Sequence, residues 1–221
     1  MPPEAPLTLT RLPLFPLQTV LFPGGILPLR IFEVRYLDMI QRCHKAGAPF
    51  GVVCLTRGAE VASAPQAADP HALTELFQDV GTLAHIEHCE QQQAGLLHVR
   101  CKGAQRFRIQ QREKLKHGLW VADVELLPAD IPAQVPEELA GTVIALRQVL
   151  DNLRAQHTPA ELLPTAPPGA WNDAGWVANR WCDLLPVDRE LKQRLMMLDA
   201  PLLRLELVGD VLEKLRLDTG R

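Results

Sequence analysis

A stretch of apolar runs interrupted by prolines and glycines, residues 12–53, constrains the fold of this chain more than any other feature. Residues 12–17 and 26–31 are short apolar runs, and a Pro-Gly-Gly turn lies between them. Because proline cannot donate a hydrogen bond to a β-ladder, such runs predict short, irregular strands joined by tight turns. The amino-terminal part of the chain is therefore expected to form β-strands.

A single helix is predicted directly after these strands, from residue 32 to about residue 46. Apolar residues recur there at every third position, which places them along one helical face; they are Val34, Leu37, Ile40 and Cys43. Gly47 follows and can adopt the left-handed conformation that commonly ends a helix. Residues 50–55 are then continuously apolar, which predicts a buried strand.

The chain continues with a β pattern up to about residue 127. Further strands are predicted over residues 80–87, 96–101, 106–109 and 120–127, with a bend at Gly103. The segment PADIPAQVP, residues 128–136, breaks the periodicity of both strand and helix and predicts a domain boundary. We therefore predict a β domain over residues 1–130 and a second domain over residues 131–221.

The second domain is predicted to be a helical domain of about four helices, because apolar residues recur there at alternating spacings of three and four. Four stripes carry this pattern, beginning at Leu139, Val177, Leu191 and Leu202. Asp188 and Asp199 are predicted N-caps of the last two helices. The proline-rich residues 158–170 predict an exposed, irregular loop.

The first 128 residues resemble the amino-terminal, substrate-recognising domain of the Lon protease family in their sequence motifs and in the order of those motifs. The matching segments are LPLFPL, VLFPGGILPLRIFEVRY, FGVV, DVGTLAHI and CKGAQRFRI. The resemblance implies an α+β fold: a PUA-like, partly closed β-barrel with one early helix, followed by a carboxyl-terminal helical bundle. The family commonly has proline where this chain has Val34, in a first helical turn where proline is tolerated rather than required.

The chain lacks the signals of the ATPase and serine-lysine protease modules that a complete Lon protease carries after this domain. It contains no Gly-Lys dipeptide, so the phosphate-cradling loop of P-loop ATPases is absent. Its one serine, Ser63, lies in a segment without the strand or helix pattern that would hold a nucleophile against a base. We therefore predict a stand-alone, non-enzymatic form with no catalytic residue and no cofactor.

Composition is consistent with a reduced, cytoplasmic protein. The 221 residues are 47% hydrophobic and 22% charged with a net charge of -3, which suffices for a core without disulfides or metal. The five cysteines form no CxxC pair and are expected to be reduced core residues. No segment has the pattern of a signal peptide or the apolar length of a membrane span, so we expect no membrane association.

A zinc site is the first alternative that the sequence suggests. His85, His88 and Cys89 form an HxxHC motif, and Cys43 and His44 are adjacent on the predicted helix. On a strand, however, an odd spacing sends the two histidines to opposite faces, whereas a metal needs converging ligands. We therefore predict no metal site.

An RNA-binding face is the second alternative, because PUA-like folds include RNA binders and residues 106–117 are rich in Lys and Arg. The candidate residues are Arg106, Arg108, Arg112 and Lys114. Strand alternation would place Arg106 and Arg108 on the face opposite Phe107. The net charge of the chain is negative, whereas a nucleic-acid-binding protein usually carries a broad basic surface. We therefore do not expect nucleic acid as a partner.

The function implied by the resemblance is recognition of unfolded polypeptide, or of a specific protein partner, through apolar surface. The first candidates are the residues around the Pro-Gly-Gly turn, Leu21, Phe22, Pro23 and Ile26, for which core packing is the alternative. Trp171 and Trp176, beside the proline-rich loop, are candidate anchors for a partner because tryptophan offers a large contact area with few rotors. A hydrolase assembled from scattered residues remains a further alternative.

Overall fold

The chain divides into two compact units, Met1–Pro128 and Ala129–Arg221, in a computed structural model. The structure describes residues 7–57 and 76–219, with the side chains of residues 57 and 216–219 left out of the description. The first unit holds seven strands and one helix within that part of the chain. They are β1 (Thr8–Leu17), β2 (Ile26–Ile31), α1 (Val34–Ala46), β3 (Phe50–Arg57), β4 (Leu76–Phe77), β5 (Val80–Gln93), β6 (Leu96–Lys114) and β7 (Trp120–Leu126).

The strands form one sheet that curls into a ring. Its order is β1-β7-β6-β5-β3-β4, and β2 pairs with β6 outside this path. The pairings on the path are antiparallel, while an additional parallel pairing joins β1 to β3, with Leu14 opposite Gly51. This contact closes the ring, which confirms the predicted partly closed barrel with one early helix.

Two apolar clusters lie among the described residues of the first unit. Leu12 and Leu14 of β1 pack with Phe107 in one cluster. Phe15 and Leu17 of the same strand pack in the other cluster, which includes the buried face of α1. Because successive side chains of a strand point to opposite faces, β1 is buried on both sides. Its apolar run therefore shows no alternation with polar residues.

The two strands predicted over residues 96–101 and 106–109 are one 19-residue strand, β6, which runs through Gly103. Gly103 lies at a register shift in the pairing of β5 with β6. Its N–H donates to the carbonyl of Gly25 and its carbonyl accepts from the N–H of Gly24, both at 2.8 Å. A Cβ atom here would lie 2.2 Å from the carbonyl oxygen of Phe22. The glycine is thus required by the close approach of the Pro-Gly-Gly turn.

Helix ends follow the predicted signals at two of three positions. Gly47 has a φ of 61° and ends α1 in the left-handed conformation, as predicted. Asp188 accepts a hydrogen bond from the N–H of Leu191 at 2.7 Å and caps the fourth helix, also as predicted. The last helix begins at Pro201, so Ala200 rather than Asp199 precedes it.

Four α-helices form the main body of the second unit within the described residues. They are α2 (Ala140–Ala155), α3 (Ala174–Leu184), α4 (Arg189–Met197) and α5 (Pro201–Thr219). Three short 3-10 turns, Glu137–Leu139, Ala160–Leu162 and Ala170–Asn172, lie in the connecting segments. None of the helices in residues 7–57 and 76–219 combines the length with the apolar character that crossing a bilayer requires.

A buried arginine joins the segments of the second unit. Arg204 of α5 is 1% exposed, and its guanidinium donates to Asp130 at 2.6 and 3.1 Å and to Asn179 of α3 at 2.9 Å. Its Nε donates to the carbonyl of Leu195 in α4 at 3.1 Å. Asp130, which lies in the segment predicted to contain the domain boundary, is thus bound by the helical unit.

Candidate functional site

A groove of about 540 Å³ lies in the first unit between α1, β1 and the turn that joins β6 to β7. Helix α1 supplies one wall, because residues spaced three and four apart lie on the same helical face. The lining residues are Arg11, Pro13, Val34, Arg35, Asp38, Met39, Arg42, Cys43, Leu115, His117, Leu119 and Val121. The groove therefore combines side chains from positions that are distant in sequence.

Arg35 holds the helix wall against the β6–β7 turn. It is 8% exposed, its Nη1 donates to the carbonyl of Gly118 at 2.8 Å, and its Nε lies 3.0 Å from Oε2 of Glu33. The guanidinium also lies 4.5 Å from the centre of the Tyr36 ring. Gly118 has a φ of 87°, a conformation that favours glycine and lets the turn present its carbonyl. Arg35 is thus a positioning residue of the groove.

Arg11 stands on the opposite wall at an irregularity in β1. Its φ is 53°, and the pairing of β1 with β7 shifts register between Leu9 and Leu12. The N–H of Arg11 donates to Oδ1 of Asp123 at 2.8 Å, which stabilises this conformation. Its guanidinium lies 3.4 Å from Glu113 in an ion pair that is exposed on both sides. The bulge thereby places a cation at the rim of the groove.

The chemistry of the groove is suited to binding. Its floor is apolar and includes the buried residues Met39 and Leu119, while Val34 is 73% exposed at its edge. Arg42 and His117 are exposed at the rim. Burial raises the pKa of the Cys43 thiol, so this group is protonated at neutral pH and is a poor nucleophile. The arrangement offers apolar contact and positive charge to a ligand.

The turn residues proposed from the sequence divide between core and surface. Leu21 and Phe22 are buried, with Phe22 at 0% exposure, so core packing, the alternative interpretation, describes both. Thr82 Oγ1 donates to the carbonyl of Leu21 at 2.6 Å and fixes the chain there. Pro23 and Ile26 are half-buried. The predicted binding surface is therefore wrong for Leu21 and Phe22 and stays a prediction for Pro23 and Ile26.

The basic run of β6 does not form the predicted exposed face throughout. Arg106 is 3% exposed and its Nη2 lies 3.4 Å from the carbonyl of Pro128, because the strand is buried on both sides at this point. Arg108, Arg112 and Lys114 are exposed. The guanidinium of Arg112 lies 4.7 Å from the Phe77 ring, and Lys114 Nζ lies 5.4 Å from the Trp120 ring. Two of these cations therefore cover aromatic rings.

The two candidate tryptophans of the second unit contact each other. Trp171 and Trp176 are half-buried, with ring centres 4.9 Å apart in an edge-to-face arrangement. The Arg147 guanidinium lies 4.4 Å from the Trp171 ring. Trp171 also lines a cavity of about 680 Å³ between α2 and the proline-rich loop. Their role as anchors for a partner stays a prediction.

The residues of the zinc alternative differ in exposure. His85 and His88 are exposed on β5, while Cys43 is buried in α1. Within the described residues, no three or more His, Cys, Asp or Glu side chains gather into a group that could hold a metal ion. Ser63 lies outside the described residues.

Comparison with known proteins identifies the family. A partly closed barrel with one early helix, followed by helices, is the fold of Lon amino-terminal domains. The chain belongs to the family described as the substrate-binding domain of ATP-dependent protease La (LON), whose model matches residues 11–214. This match extends from the first unit into the second and includes every residue that lines the groove.

Two solved structures are similar to the chain over most of its length. A Lon N-terminal domain protein from Xanthomonas campestris is 29% identical with a TM-score of 0.68, and the match covers 91% of this chain and 98% of that chain. The N-terminal domain of Mycobacterium avium complex Lon protease has a TM-score of 0.53 at 15% identity, covering 93% and 97%, and shares the fold alone. A search among curated proteins finds no match.

Proposed function

We propose that this chain is a non-enzymatic, cytoplasmic recognition module that binds exposed segments of unfolded polypeptide or of a protein partner. Membership of the substrate-binding family supports a role in substrate recognition. The observation that carries the proposal is the groove of about 540 Å³, whose apolar floor is open to solvent. Ligand pockets commonly have volumes of about 300–1,000 Å³, so this space accommodates the side chains of a short segment.

Binding would come from burial of the partner's apolar side chains on the floor of the groove. Full burial of a leucine or phenylalanine side chain contributes about 1.5–3 kcal/mol. The segment must also lose conformational entropy when it is ordered, so only part of this free energy appears as affinity. An unfolded chain with several apolar residues therefore suits the groove better than a folded surface that has already buried them.

The experiment is to titrate labelled, reduced and alkylated casein with the protein and to follow fluorescence anisotropy. Val34→Ser removes an apolar side chain that is 73% exposed at the edge of the groove. If the apolar contact between Val34 and the polypeptide contributes about 1 kcal/mol of binding free energy, its loss raises Kd roughly fivefold. Because Val34 is exposed, we expect the free energy of unfolding to stay unchanged within about 0.5 kcal/mol.

Leu7→Ser is the matched control, because Leu7 is also 73% exposed and lies outside the groove. We expect this variant to bind casein as the wild type does. Equal weakening by both substitutions would mean that general surface apolarity, rather than the groove, recognises the polypeptide. Unchanged binding in the Val34→Ser variant would refute the assignment of the groove as the site.

A further inference from the structure

We propose that the groove selects a particular class of segment: an apolar residue flanked by carboxylate side chains. This inference rests on the proposed function and names the substrate class of the same site. It starts from the charge of the lining, which carries three arginines, one histidine and a single carboxylate, Asp38. Glu33 and Glu113, which do not line the groove, pair with Arg35 and Arg11, so the positive character of the groove comes from Arg42 and from an exchangeable Arg11.

The three arginines differ in what they can offer a ligand. Arg35 is buried and already bound to Glu33 and to the carbonyl of Gly118, so it shapes the wall. Arg42 is exposed on α1, one turn after Asp38. Arg11 is paired with Glu113, but both side chains are exposed, and such a pair exchanges readily for another carboxylate. Arg11 and Arg42 are therefore the cations available to a ligand.

Their positions define the pattern that is recognised. Arg11 lies on β1 and Arg42 on α1, and both line the groove together with its apolar residues. His117, exposed on the β6–β7 turn, adds a further donor to the rim. A segment that anchors an apolar side chain on the floor brings its neighbouring residues to this rim. Carboxylates at those neighbouring positions match the planar, multidentate donor geometry of arginine.

The rim contributes selectivity, while the floor contributes most of the affinity. Exposed ion pairs are weak and are screened by salt, so the gain from acidic flanks is a few-fold and shrinks as ionic strength rises. A segment with lysines beside the same apolar anchor meets like charges at Arg11 and Arg42. Asp38 lowers the positive charge of the lining without reversing its sign.

The test uses three labelled peptides of equal length with one identical apolar anchor, whose flanking residues are Asp and Glu, Asn and Gln, or Lys. At about 20 mM salt we expect the acidic peptide to bind roughly threefold to tenfold more tightly than the amide peptide. The lysine peptide should bind most weakly. At about 500 mM salt the three values should converge on the affinity that the apolar anchor supplies.

Arg42→Gln should reduce the preference for the acidic peptide at low salt by roughly two- to threefold and leave binding of the amide peptide unchanged. Arg42→Glu should reduce the preference for the acidic peptide further and improve binding of the lysine peptide. Arg108→Gln is the matched control, since Arg108 is exposed on the same unit but does not line the groove. It should keep the wild-type preference.

The outcomes separate the two proposals. Equal binding of the three peptides at low salt, still weakened by Val34→Ser, would overturn the acidic selectivity and leave the polypeptide-binding function intact. A preference that persists in full when Arg42→Gln is combined with Arg11→Gln would also overturn it, because the selecting cations would lie elsewhere. Absence of binding by every peptide and by casein would overturn the proposed function itself.

Discussion

Phe22 couples the Pro-Gly-Gly turn to the core of the first unit. Its side chain is fully buried, and its carbonyl accepts a hydrogen bond from the N–H of Gly25 at 2.9 Å. The neighbouring carbonyl of Leu21 accepts from Thr82 on β5. Side chain and backbone are therefore both engaged, which leaves this phenylalanine no freedom to reach a partner.

Phe22→Ala is expected to lower the free energy of unfolding by about 3–5 kcal/mol, because it removes buried contacts and leaves a cavity. Denaturant unfolding followed by circular dichroism measures this change. Ile26→Ser serves as the comparison, since Ile26 is only half-buried and should cost less. A Phe22→Ala protein of wild-type stability would show that this side chain lies outside the core.

The cysteines behave as small core residues. All five are free, and Cys43, Cys54, Cys101 and Cys182 are buried. Burial raises the pKa of Cys101 and of Cys182 to about 12, so these thiols stay protonated at neutral pH. Protonated, buried thiols react slowly with oxidants and electrophiles, which fits the sequence expectation of reduced core residues.

Strand β6 organises the barrel because it pairs with three other strands. It pairs with β5 and β7 along the ring, and its first part also pairs with β2. The register shift beside Gly103 lets one continuous strand serve all three partners. The turn before β2 approaches Gly103 so closely that its carbonyl occupies the space of a side chain.

Gly103→Ala is expected to lower the free energy of unfolding by about 1–3 kcal/mol, since the new Cβ would meet the backbone of Phe22 and force a shift. Gly141→Ala in α2 is the control, because nothing lies within 4 Å of a Cβ there. This control should match or slightly exceed wild-type stability in thermal unfolding. Equal stability of Gly103→Ala would mean that the turn does not approach β6 this closely.

The whole molecule divides into two compact units, Met1–Pro128 and Ala129–Arg221. Residues 129–136 belong to the second unit. The N–H of Ala174 donates to the carbonyl of Ala133 at 2.8 Å, and the N–H of Val135 donates to that of Asn172 at 3.1 Å. Proline interrupts regular structure in this segment, but the backbone and Asp130 still find partners.

Asp130→Ala is expected to destabilise the second unit by about 3–5 kcal/mol, because it removes the carboxylate partner of a buried arginine. Calorimetry should show one of two unfolding transitions moving to lower temperature while the other stays in place. Asp151→Ala is the matched control: its ion pair with Arg154 also measures 2.6 Å but is exposed and should cost at most about 1 kcal/mol.

A shift of both transitions in Asp130→Ala, or a single transition for the whole protein, would contradict the division into two cooperative units. It would then follow that the stability of the first unit depends on that of the second. Unchanged transitions would instead contradict the energetic role of the Arg204 contacts.

Local patterns determined the elements of this protein. Apolar periodicity and the placement of proline and glycine sufficed to predict most strands of the barrel, helix α1 with its stop at Gly47, and the cap at Asp188, but not the short strand β4 or the continuity of β6. These signals depend on contacts between near neighbours in the chain, so sequence alone carries them. The sequence motifs of the first 128 residues also sufficed to predict the family and hence the barrel.

Which surfaces are covered follows from packing between distant parts of the chain. The burial of Phe22 and Arg106 depends on elements that pack against them from distant parts of the chain, and periodicity does not reveal what lies opposite a face. The groove likewise exists because Arg35 holds α1 to the carbonyl of Gly118, 83 residues away. Its cations and its apolar floor come from separate elements. The sequence therefore names the residues of the site but does not reveal that they lie close together.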